Sequence, residues 1–162
     1  MLSRTADHLY WMARYMERAE NTARMLDVNY QTALLPLTAE EAEQGWRGLL
    51  SISELTWAFS ERYPGYGGAN VMRFMVSDDA NPSSIAYAVL SARENARRAR
   101  EIVSTELWET LNTTNSRMPR RINNEKAHEF FQWVRERSAL AVGVTDSSTS
   151  RDEAWQFLAL GR

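Results

Sequence analysis

The sequence has no cysteine, only four prolines and seven glycines, and a formal net charge of only −2. Each shortage removes a class of protein. Without cysteine there is no disulfide, no thiolate metal site and no cysteine nucleophile, which fits a cytoplasmic location. Few prolines and glycines disfavour a turn-rich β-sandwich and favour helices. A nearly balanced charge gives no overall field to recruit nucleic acid or an anionic membrane. No apolar run approaches the roughly 18 residues of a membrane span, so no transmembrane helix is expected. The opening MLSRTADHLYW is broken by Arg4, Asp7 and His8 and does not read as a signal peptide.

What is present is a chain of 162 residues, 44% hydrophobic and 25% charged. That suits one soluble domain, residues 1–162, able to bury roughly 70% of the surface its unfolded form exposes. Leu9, Met12, Met16, Ala19, Ala23, Leu26 and Tyr30 recur at spacings of three and four, the stripe of an amphipathic helix from about Ser3 to Leu34. Such a helix is roughly 45 Å long and is stopped by Pro36. Thr38 and Glu41 form a capping box for a second helix, with Trp46, Leu49, Leu50, Ser53 and Trp57 as its buried positions. YPGYGG ends that helix, and a short one over 69–76 follows.

Asn81 before Pro82 reads as an N-cap with proline at the first helical position. It opens a helix to about Val103, with Ile85, Ala88, Ala92, Ala96, Ala99 and Val103 as its stripe. Residues 104–111 give a further short helix, and 112–124 a polar loop. Asn123 or Asn124 caps the next helix, through Phe130, Phe131, Val134, Ser138 and Ala141. TDSSTS at 145–150 reads as a second loop, and Ser150 with Glu153 as the capping box of a last helix to Arg162. No strand is convincing. The expected fold is all-α, an antiparallel helical bundle with a long first helix.

The first helix also carries a polar run, RYMERAENTAR, residues 14–24. Arg14, Glu17, Asn21 and Arg24 fall roughly opposite the stripe, and Arg14–Glu17 and Glu20–Arg24 are favourable helical pairs. That pattern fits a solvated face. However, the row begins at Tyr10 and ends at Val28, with Trp11, Tyr15 and Met25 on its flanks, as in a central helix with one charged patch. The fourth helix echoes it in ARENARRARE, where Glu94, Asn95 and Arg97 match Glu20, Asn21 and Arg24. The favoured reading is a buried polar network of Arg14, Glu17, Arg18, Glu20, Asn21, Arg24, Arg93, Glu94, Asn95 and Arg97 that fixes helix pairing. Solvated faces and a ligand or catalytic site remain open. If the network is buried, Glu17→Ala costs about 3–5 kcal/mol.

Several segments together resemble the alpha-E family, a helical domain marked by a conserved E-R dipeptide. Glu17 and Arg18 stand at that dipeptide within LYWMARYMERAENTARMLDV. DDANPSSI, SARENARRARE, ELWETLN and GVTDSSTSRDEAWQFLALGR are similar to further family segments, in family order. The resemblance implies a longer, two-repeat protein of which this is the first half, Gly161 and Arg162 aligning with Ala13 and Arg14. In that case Trp155, Leu158 and Leu160 lack partners, which favours association, including a homo-oligomer. It also implies a bacterial cytoplasmic protein working with an ATP-grasp peptide or amide ligase, or with a transglutaminase-like protease.

Other motifs are weak. Glu125 and His128 form a single E-x-x-H pair where a di-metal bundle needs two, and HEFFQ lacks the second histidine of a zincin. GYGGAN lacks the G-K-[ST] and preceding strand of a phosphate loop. Arg117, Arg120 and Arg121, like Arg93–Arg100, are not interleaved with aromatics. No metal or cofactor is expected. The function expected is a non-catalytic interaction domain with a protein partner. The alternatives are an enzyme, with Glu17 as acid or base and Arg18, Arg24 or Arg97 binding an anion, and a weak nucleic-acid binder.

Overall fold

The stripe that starts at Leu9 becomes the axis of the molecule. The computed structural model describes all 162 residues, and its regular structure is helical throughout. The elements are α1 Ser3–Ala33, α2 Ala39–Ile52, α3 Thr56–Ser60, α4 Gly68–Ser77, α5 Ile85–Arg98, α6 Thr105–Ser116, α7 Ala127–Ser148 and α8 Glu153–Leu160, with a 3-10 turn over Asn124–Lys126. α1 packs against α5, α7, α8, α2 and α4. The bonds between elements give the directions. Tyr15 lies near Tyr87 and His8 near Asn95, so α5 runs antiparallel to α1. Ser138 lies on Met16 and His128 on Asp27, so α7 does too. α6 returns between α5 and α7, through Arg93–Asn112 and Arg137–Thr114. No helix is long and apolar enough to cross a membrane.

The core has two parts along α1. Ala19, Ala23 and Leu26 join α2, α4, the start of α5 and the start of α7 around Phe59, Phe74 and Phe131. Leu9, Met12 and Met16 join Ala92, Ala96, Leu107, Leu111 and Leu158. Ala88, Ala92 and Ala96 of α5 are fully or nearly fully buried, so α1 and α5 pack on small side chains. Where α8 ends against α1, a Cβ on Gly161 would collide with the Tyr10 carbonyl oxygen.

Several expectations need correction. α2 stops at Ile52 in a Schellman turn, in which the Leu55 amide donates to Leu50 O and the Glu54 amide to Ser51 O. Trp57 therefore belongs to α3 and is 73% exposed rather than buried, and Ser53 is half-buried. Asn81 does not cap α5. Its side chain is buried, donating to Phe74 O and accepting from the Ser83 amide, and Ser84 is the cap, accepting from the Tyr87 amide. α5 ends at Arg98, with Ala99 and Val103 kept buried by a tight turn that Arg100 closes on Val103 O.

α6 continues to Ser116, where a loop was expected from 112, because Thr110 and Thr114 satisfy their hydroxyls on carbonyls one turn back. In the same way Thr145 and Ser148 bond to Ala141 O and Val144 O and carry α7 through most of TDSSTS. The cap of α8 is Asp152, which accepts from the Ala154 and Trp155 amides, while Ser150 only braces its carboxylate. The last helix is not wholly unpartnered. Leu158 is buried and Trp155 donates to Asp146, leaving Leu160 exposed.

Candidate functional site

The charged residues of α1 pair along α1 itself. Arg14 donates to Glu17 one turn on, and Arg24 donates to Glu20. The Arg14 and Glu17 side chains are 43% and 30% exposed, and Arg18, Asn21 and Arg24 are exposed. The α5 set is equally local. Glu94 accepts from Arg93 and Arg97, and Arg93 also donates to Asn112 of α6. Hydrogen bonds from Arg97 outweigh the opposing desolvation and, with the Arg93 charge, hold the Glu94 carboxyl below the usual range. No ion pair joins the α1 set to the α5 set. Across the seam only His8 Nδ1 meets Asn95 Oδ1, at 3.0 Å. The expected buried network is thus two partly solvated sets, and alanine packing rather than charge pairing brings α1 and α5 together.

Glu17 and Arg18 are 100° apart around the helix, on either flank of the buried stripe, and they enter different clefts. Glu17 and Glu20 line a cleft of about 240 Å³ between α1, α6, α7 and α8, floored by Met12, Met16 and Leu158, with Arg162 also on its wall. There Ser138 Oγ lies 3.3 Å from both Glu20 Oε2 and Met16 O. Arg18 lines a second cleft, about 180 Å³, bordered by Asn21, Thr22, Ser53 and Ser83. Arg18 makes no hydrogen bond or ion pair and lies 5.9 Å from the centre of the Tyr15 ring.

From Tyr15 an aromatic run continues along the α1/α5 seam. Tyr15 is 5.7 Å from Trp11 and 6.4 Å from Tyr87, and Trp11 is 5.3 Å from Tyr10. Trp11, Tyr87 and Leu90 are exposed. Trp11, Tyr15, Arg18, Thr22 and Met25, at steps of four and three, therefore form a second stripe of α1 beside the buried one, with Trp11, Arg18 and Met25 exposed and Tyr15 and Thr22 half-buried.

The sequence reading missed a clasp at the start of the Asn81 turn. Asp78, 6% exposed at its side chain, accepts from the Tyr63 hydroxyl at 2.7 Å, the Ala80 amide at 2.9 Å and Arg62 Nε at 3.2 Å. Burial pushes the Asp78 carboxyl up, but these donors outweigh it and leave the group below its ordinary value. Burial, with Asp78 beside it, pushes the Tyr63 hydroxyl up to about 12. The signals were present as a tyrosine and an arginine before a Gly-rich loop and an aspartate after α4, but their meeting needs the fold.

The weaker motifs resolve simply. His128 Nδ1 lies 2.7 Å from buried Asp27, and no group of three or more His, Cys, Asp or Glu side chains is placed to hold a metal ion. In GYGGAN, Asn70 donates to Gly65 O, and a Cβ on Gly68 would meet the Trp46 ring at 3.0 Å. Arg120 and Arg121 share a hollow with Glu61, Asp78 and Asp79, so that surface is mixed in sign.

No curated protein and no solved structure matches the chain. A family model does, over residues 1–162, and it describes a predicted alpha-helical domain with a conserved ER motif. E-R occurs here at 17–18, 61–62 and 136–137. Arg62 is tied to Asp78 and Arg137 to Thr110 and Thr114, which leaves Arg18 as the arginine of the three with no hydrogen-bond partner. The all-helical fold, the presence of E-R and the match over residues 1–162 agree: the chain belongs to the Alpha-E family.

Proposed function

We propose that this chain is a non-catalytic interaction domain that docks a protein partner along the outward stripe of α1 and the adjoining face of α5. The observation that carries this reading is the aromatic run of exposed Trp11, half-buried Tyr15 and exposed Tyr87, ending at unpaired Arg18. Tryptophan, tyrosine and arginine are enriched among the residues that dominate interface energetics, the aromatics through a large, rigid contact area and arginine through its planar fork of donors. The partner is an ATP-grasp peptide or amide ligase, or a transglutaminase-like protease, in the bacterial cytoplasm.

The test is affinity capture from the native cell with two baits, the natural chain and a Trp11→Ala/Tyr87→Ala variant, followed by mass spectrometry. Recovery of such a ligase or protease with the natural chain and its loss with the variant supports the reading. Recovery of bait alone, or equal recovery by both baits, overturns it.

A second reading rests on Glu17 and Glu20 in the cleft beside α8. Two carboxylates over an apolar floor are a plausible acid–base constellation for an enzyme. Each is already engaged by an arginine, and Glu17 and Arg18 do not share a cleft, so one site using both is not what the geometry offers. A turnover lost in Glu17→Gln with no loss of stability would favour this reading over docking.

A further inference from the structure

The second cleft gathers two separate anomalies. The Ser53 hydroxyl is the one buried side-chain oxygen or nitrogen without a hydrogen-bond partner. Native proteins rarely leave such a group unsatisfied, and each instance calls for a reason. The left-handed φ of the next residue, Glu54, 58°, belongs to the Schellman turn that ends α2 and fixes where Ser53 stands. Across the cleft stands Arg18, with no carboxylate of its own although Arg14 and Arg24 on the same helix each have one.

We infer that the cleft between α1 and the α2–α3 turn is a carboxylate-binding site, in which Arg18 takes the two oxygens and Ser53, Asn21 and Ser83 supply neutral donors. Arg18 is the only charged side chain on the cleft wall, and Glu54 is not part of that wall. One positive charge with neutral donors balances a monoanion, and a planar guanidinium matches a planar carboxylate with two parallel bonds. A phosphate dianion would leave a charge unbalanced. Ser53 lines the cleft with a hydroxyl that has no acceptor, and the arriving carboxylate supplies one. The Ser84 cap places the N-terminus of α5 next to Ser83, adding a partial positive charge on the same side. Tyr15, Met25 and Met75 form the apolar part of the wall, so the preferred ligand carries an apolar group beside its carboxylate.

This inference does not depend on the docking proposal, and its test needs no partner. The labelled full chain is titrated by NMR with N-acetylphenylalanine, with its neutral amide, and with inorganic phosphate. The expected result is saturable millimolar binding of N-acetylphenylalanine that shifts the Ser53 and Glu54 amides and the Arg18 Nε–H, with no response to the neutral amide. Arg18→Gln weakens it by about tenfold or more, as expected for loss of a charge-assisted contact. Arg18 makes no hydrogen bond, so this variant folds. Ser53→Ala weakens binding several-fold. Absence of saturable shifts, an equal response to the neutral amide, tighter binding of phosphate, or unchanged affinity in Arg18→Gln each overturns the site.

Discussion

Glu17 and Asp78 are both carboxylates paired with arginine, and truncating each to alanine should give very different results. Glu17 accepts from Arg14 one turn away, with side chains 30% and 43% exposed. A helical pair in that environment is worth about 0.2–0.5 kcal/mol, because water and salt screen it and two long side chains lose entropy. Glu17→Ala should therefore lower the midpoint of thermal unfolding by roughly 1–2 °C. Asp78 is 6% exposed and accepts from Tyr63, Ala80 and Arg62. Asp78→Ala strands a tyrosine hydroxyl and a backbone amide. Arg62 is 48% exposed and rehydrates, so the loss stays below that of a fully buried pair. The expected cost is about 2–3 kcal/mol. Urea unfolding followed by circular dichroism, with equal slopes for both variants, measures the two values. A loss of 3–5 kcal/mol in Glu17→Ala would show that the α1 charges are sealed between helices and would refute the placement described above. Equal losses in the two variants would refute the distinction between them.

Four further outcomes follow from the same geometry. Tyr63 titrates near 12 in the folded chain against an ordinary value of 10, so its contribution is complete below pH 10 and is lost as pH rises towards 12. The loss is about 1–2 kcal/mol after allowance for partial exposure, and alkaline unfolding of Tyr63→Phe should lack that step. The depressed Asp78 carboxyl has the opposite sign, its contribution fading as pH falls below the ordinary carboxylate value. Gly161→Ala puts a methyl group against the Tyr10 carbonyl and the Ala13 Cβ, and should cost about 1–3 kcal/mol by calorimetry as α8 lifts from α1. Glu54→Gly relieves a left-handed side chain and should stabilise by about 1 kcal/mol in urea unfolding, while no change would show that φ there is unstrained.

The stripes that bury were legible because a helix turns every 3.6 residues and apolar side chains mark the inner face. Leu9 to Leu26 and Ile85 to Val103 are buried as expected. Helix ends were less legible. Thr110, Thr114 and Thr145 look like loop residues in the sequence, yet their hydroxyls find carbonyls within the helix. Asn81 before Pro82 looks like a cap, but its side chain is needed by Phe74 O four residues after the Asn70 of α4. The polar run of α1 was visible as a cluster, whereas its division between two clefts was not, since a helical wheel gives angles and not neighbours. Ser53 gave no signal at all, because an unsatisfied hydroxyl is a property of what surrounds it.

The most direct measurement compares Glu17→Gln with Arg18→Gln in binding the captured partner, by titration calorimetry on folded full-length chains. If α1 presents Arg18 outward with the aromatic stripe and turns Glu17 towards α8, Arg18→Gln weakens the complex by about tenfold or more, the size expected of an interface anchor, and Glu17→Gln leaves it unchanged. Equal losses from both, or a loss confined to Glu17→Gln, would contradict the assignment of the two residues to separate faces.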